Sequence, residues 1–120
     1  MDYPDPVIDR QFDHLAVFDA RMRAHLRTLV SPDVIEEHRR TPLGLHSDAL
    51  SRLLNYFRRG GLAGKYGLLK TDPDREEYRI VIFSGRRGAP SEIDMSETFG
   101  SRDEGYHGVF LRRIADLMAE

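Results

Sequence analysis

Five histidines, at positions 14, 25, 38, 46 and 107, are the side chains of this sequence best suited to hold a metal ion or pass a proton. His14 and His25 stand eleven residues apart on a helical stretch. That spacing puts them on nearly one face but about 16 Å apart along the axis, too far for one ion. His38 follows Glu36 and Glu37, yet no second His stands four residues away, as a helical zinc site requires. It reads as part of a solvated polar face. Glu104 and His107 make a Glu-x-x-His pair, half of the pattern that di-iron bundles use twice. With Ser101 three residues before it, Glu104 is better explained as the partner in a helix capping box.

The remaining chemistry thins out in the same way. Ser31, Ser47 and Ser101 each precede a helical pattern, where a hydroxyl accepts a backbone N–H, and none sits in a nucleophile elbow. Gly60-Gly61-Leu62-Ala63-Gly64-Lys65 has the composition of a phosphate loop, but it follows a helix and precedes a strand. The reverse order is the one that aims a helix N-terminus at phosphate. Four Arg doublets, at 39–40, 58–59, 86–87 and 112–113, could bind phosphates if interleaved aromatics stacked bases. Acidic residues surround them, and no helix-turn-helix or RNA-binding signature appears. The expectation is therefore no catalytic residue, no metal and no cofactor held by this chain.

Composition agrees. The net charge of −2 leaves no overall field to draw the chain onto nucleic acid. With 32 % charged residues and no long apolar run, a transmembrane span is excluded, and zero Cys excludes thiolate sites. Met1-Asp2-Tyr3-Pro4-Asp5-Pro6 is acidic where a secretory leader would be basic, so a soluble, cytoplasmic protein is expected. At 120 residues the chain is read as a single small domain.

The elements that must position these residues follow from caps and periodicity. Asp5-Pro6 opens a helix over about 7–29, with Ile8, Phe12, Leu15, Met22, Leu26 and Leu29 as its apolar stripe and Phe18 widening it toward a globular core. Ser31-Pro32 opens a second helix to about 40, which Thr41-Pro42 stops. A third, about 48–59, carries Leu50, Leu53, Leu54 and Phe57, and Gly60-Gly61 ends it. A fourth, about 102–118, carries Tyr106, Val109, Phe110, Ile114 and Leu117. Gly105 and Gly108 inside it imply either a frayed first turn or a close approach to another backbone. Between the third and fourth lies a β-hairpin with arms at about 65–71 and 77–84, turning at Asp72-Pro73-Asp74. The fold class is α+β, mainly α: three to four helices packed with one antiparallel hairpin.

The hairpin is apolar on both faces, with Tyr78, Ile80 and Ile82 on one and Val81 and Phe83 on the other. A few short helices cover one side of a ribbon well. Either the stretch from Gly85 to Phe99 folds over the second face or a partner does, and exposed apolar surface favours a partner. In that stretch Ile93, Met95 and Phe99 are the only candidates to anchor it.

Asn55-Tyr56-Phe57-Arg58, Gly64-Lys65-Tyr66, Tyr78-Arg79-Ile80 and His107-Gly108-Val109-Phe110-Leu111-Arg112-Arg113-Ile114, in this order and spacing, resemble the small subunit of N,N-dimethylformamidase. The likeness covers about the C-terminal half to two-thirds. It implies a non-catalytic accessory subunit of a hetero-oligomeric amidohydrolase, bound to a large catalytic subunit that carries a mononuclear iron and hydrolyses small N-substituted amides. Aromatic and Arg anchors dominate interface energetics, so Tyr56, Arg58, Tyr66, Tyr78, Arg79, Phe110 and Arg113 are the expected contacts with it. The alternative is a self-contained homodimeric binding or regulatory module that buries its hairpin against a second copy.

Overall fold

The computed structural model describes residues 6–59 and 64–119, with side chains from His14 onward. The chain forms four helices, α1 (Pro6–Leu29), α2 (Pro32–Arg40), α3 (Asp48–Phe57) and α4 (Arg102–Met118), and three strands, β1 (Tyr66–Lys70), β2 (Tyr78–Ile82) and β3 (Glu92–Ile93). The class is α+β, mainly α, as the sequence indicates. The expected Asp5 cap and the Gly60-Gly61 stop lie outside the described residues.

Each short helix starts where a serine supplies an acceptor. Ser31 Oγ accepts from Val34 N at 3.2 Å, Ser47 Oγ from Leu50 N at 3.3 Å and Ser101 Oγ from Glu104 N at 3.1 Å. The Glu104 carboxylate accepts from Gly100 N at 3.2 Å, one residue upstream of the ideal capping box. A second device ties α2 to α3: the Glu37 carboxylate accepts from Ser47 N at 2.7 Å and from Ser47 Oγ at 2.6 Å.

The core forms where the apolar stripes of the helices meet. Leu26 of α1, Val34 of α2, Leu50 and Leu53 of α3, and Phe110, Ile114 and Leu117 of α4 make one buried cluster. Each fully buried Leu or Phe side chain contributes roughly 1.5–3 kcal/mol by leaving water.

The sheet departs from a plain hairpin. β1 and β2 pair antiparallel with Leu68 opposite Ile80, and β3 adds to the other edge of β2 with Ile93 opposite Val81. The ladder extends through Asp94 N to Ile80 O at 2.9 Å and through a Tyr78–Phe99 bridge. Residues 85–100 therefore run along an edge, supplying the backbone partners that β2 lacks on that side. They do not fold over a face.

One face of the sheet packs on α4, and glycines make this possible. A Cβ on Gly105 would lie 2.6 Å from the Leu68 methyls, and one on Gly108 would lie 2.4 Å from the Phe99 ring. The close approach at these glycines is to the side chains of Leu68 and Phe99 and not to another backbone, and Gly105 is buried. The opposite face, with Gly67, Leu69, Val81, Phe83 and Ile93, covers itself in part. The Phe83 ring fills the place where Gly67 lacks a side chain, and Val81 is buried. Leu69 and Ile93 stay about 40 % exposed.

Candidate interaction surface

Five of the seven expected contact residues are brought to one side of the molecule. Arg58, Tyr66, Phe110 and Arg113 line a crevice of about 230 Å³ between the C-terminal ends of α2 and α3, strand β1 and α4. Tyr56 and Arg113 line an adjoining cleft of about 360 Å³ with Asp19, Arg59 and Asp116. Two residues go elsewhere. Tyr78 is buried against α4 with its hydroxyl donating to Glu76 at 2.7 Å, and Arg79 donates to the Met95 carbonyl at 2.9 Å. Phe110 is only 2 % exposed and is a core residue, so its ring forms the floor of the crevice and leaves the rim to others.

Hydrogen bonds hold the rim in place. Tyr66 Oη donates to Asp116 at 2.6 Å, Arg113 donates to the Tyr66 carbonyl at 3.0 Å, and Tyr56 Oη donates to Asp19 at 3.1 Å. Asp19 thus ties α1 to α3 and also pairs with Arg23. Arg58 and Arg113 differ from the other rim groups. Among the described residues neither has a carboxylate partner. Partial burial, and then the positive charge of Arg58, push the Arg113 guanidinium down from its ordinary value.

A second surface lies on α1. Met22 and Leu29 pack against the core around Leu26, but Leu15, Val17 and Phe18 are 50–62 % exposed. The sequence places Leu15 and Phe18 in a core-facing stripe. Among the described residues of the stripe, the C-terminal part meets the other helices and Leu15 and Phe18 do not join the core.

The histidines hold a feature that sequence reading missed. His38 is buried, contrary to the solvated face expected of it, and its ring stacks on Phe110 with centroids 4.0 Å apart. Its Nδ1 faces Nδ1 of His107 at 3.0 Å. Burial, and then the neighbouring His107, lower its pKa to about 4. Burial lowers that of His107 as well. The two stand 69 positions apart in the chain, so no local spacing could announce the pair. Its meaning is structural: a polar joint between α2 and α4 at the base of the crevice.

A family model described as N,N-dimethylformamidase alpha subunit matches residues 13–120. This chain belongs to that family. The alpha subunit of N,N-dimethylformamidase from Alcaligenes sp is 34 % identical over 122 residues, covering 98 % of this chain and 90 % of that one. The alpha subunit from Paracoccus aminophilus is 33 % identical over 122 residues, covering 98 % and 84 % respectively. The likeness to the N,N-dimethylformamidase alpha subunit thus extends well beyond the C-terminal motifs. It takes in α1, whose exposed stripe is shared territory with the rest of the family match.

Proposed function

We propose that this chain is the non-catalytic accessory subunit of a cytoplasmic hetero-oligomeric amidohydrolase, in which a larger partner subunit cleaves the C–N bond of small N-substituted amides. The observation that carries this reading is the exposed apolar run Leu15, Val17 and Phe18, in a chain whose relatives are named as alpha subunits of one enzyme. An alpha subunit has a companion, and apolar surface left open on a folded chain is what a companion covers.

The iron implied by the resemblance belongs, in this reading, to the partner. Among the described residues no three His, Asp or Glu side chains converge as a metal site would need, and the two best placed imidazoles are bonded to each other. The donor set here does not fit the ion.

Expression alone and together with the second subunit of the same enzyme tests the proposal. The chain alone is expected to show no hydrolysis of N,N-dimethylformamide, and the pair to purify as one active complex. A stable homodimer that ignores the second subunit would establish the self-contained binding module instead.

A further inference from the structure

The crevice between α2, α3, β1 and α4 has apolar walls, made by Leu54, Phe57, Leu68 and Val109, and two arginines, Arg58 and Arg113, in its lining. Arg58 is exposed and makes no ion pair among the described residues; Arg113 is half-buried and donates to a neutral backbone carbonyl. Two like charges beside an apolar hollow repel each other and gain nothing from the hollow itself. An incoming carboxylate would relieve that repulsion and complete charge-assisted hydrogen bonds to both forks. Asp116, which lines the adjoining cleft with Arg113, accepts from the Tyr66 hydroxyl. At about 230 Å³ the hollow is smaller than the roughly 300 Å³ at which small-molecule sites begin, and it suits a single side chain.

Resting on the accessory-subunit reading, we infer that this crevice is a docking point for the second subunit. An Asp or Glu of that subunit seats on Arg58 and Arg113, and an apolar side chain beside it fills the hollow over Phe110. The neutral His38 in the wall adds no competing charge, and the Tyr66–Asp116 bond fixes the strand end that frames the entry. The contact is distinct from the α1 stripe, so the complex has a polar anchor as well as an apolar one.

The test uses the full chain and the second subunit, with affinity measured at two salt concentrations. Arg58→Glu is expected to weaken the complex by about tenfold or more, because it replaces attraction with repulsion at a half-buried contact. Arg113→Gln should weaken it comparably, and Arg87→Glu, exposed and lining neither cleft, by no more than about twofold. Unchanged melting of Arg58→Glu separates the effect from folding, since its side chain makes no hydrogen bond or ion pair among the described residues. Equal losses for Arg58→Glu and Arg87→Glu would overturn the inference while leaving the subunit reading intact. So would butyrate binding in the crevice of the free chain with the Arg58→Glu complex unaffected, which marks a small-acid site. If the unaltered chains fail to associate at all, the accessory-subunit reading itself falls, and the docking point with it.

Discussion

His38 Nδ1 and His107 Nδ1 meet at 3.0 Å across the packed faces of α2 and α4, with the His38 ring lying flat on Phe110. One imidazole must donate and the other accept, so the joint exists only while at least one ring is neutral.

This pair sets a pH dependence. His38 is buried, and its pKa falls from the ordinary 6.5 to about 4, first because burial disfavours the cation and then because His107 lies beside it. Above pH 6.5 neither folded nor unfolded chain carries the proton, and the pair's stabilisation is intact. Between pH 6.5 and 4 only the unfolded chain takes it up, so stability should fall, by up to about 3 kcal/mol, and level off below. Urea unfolding at pH 7.5, 5.5 and 4.5 measures this, and His38→Leu should flatten most of the slope. A slope unchanged in His38→Leu would mean that other groups produce it. Glu36, held by Arg39 at about 2, and Glu37, held low by Ser47, lose their contributions in a more acid window below the usual carboxylate range.

Gly105→Ala should destabilise the protein although alanine is the better helix former. The propensity gain is about 1 kcal/mol, while a new methyl 2.6 Å from Leu68 overpacks a buried seam at a cost of about 1–3 kcal/mol. Thermal melting of Gly105→Ala beside a Leu68→Ala, Gly105→Ala double variant gives the check. The double variant should lack the overpacking term, leaving only the Leu68 cavity.

Arg112 clamps the β3 segment to α4, pairing with Asp94 and, at 3.3 Å, with Glu97. The Asp94 carboxyl is held well below its usual range by bonds from Ser96 and Arg112. Arg112→Ala should loosen residues 85–100 without unfolding the helices. Limited trypsin digestion is expected to cut faster at the exposed Arg86-Arg87, with the circular dichroism of the helices unchanged. Equal cleavage rates would show that the β2–β3 ladder alone suffices.

Phe18→Ser should leave the fold intact, because a 58 % exposed ring contributes little to this chain's own core. It should cost binding to the second subunit up to about 2–4 kcal/mol if the ring is a central contact. Titration calorimetry gives the number, and loss of melting temperature in the free chain would place Phe18 in the fold after all.

The helices and both hairpin arms were legible because caps, apolar periods and a Pro-centred turn all lie within a few residues of one another. β3 was not. Two residues carry no alternation, and its pairing with Val81 and Ile82 is decided by the free edge of β2 and by Arg112. Arg58, Tyr66 and Arg113 line one crevice, a convergence that residue type alone does not indicate, whereas Tyr78 and Phe110 turn inward, because an aromatic ring serves a core as readily as an interface. The exposure of Leu15 and Phe18 could not be read from their stripe. Periodicity reports which face of a helix is apolar and is silent on how far the neighbouring helices extend along it.

The Glu37–Ser47 clasp spans only ten residues, so closing it fixes the α2–α3 corner at a small cost in chain entropy. The Leu68–Gly105 seam joins positions far apart in the chain and must wait for a large loop to close. The corner is therefore the expected folding nucleus, with Ser47→Ala slowing folding and Gly105→Ala mainly hastening unfolding in chevron measurements. A high φ-value at Gly105 and a low one at Ser47 would reverse that order. On this account the helical half takes shape early, while the sheet and the crevice above it are the last parts completed.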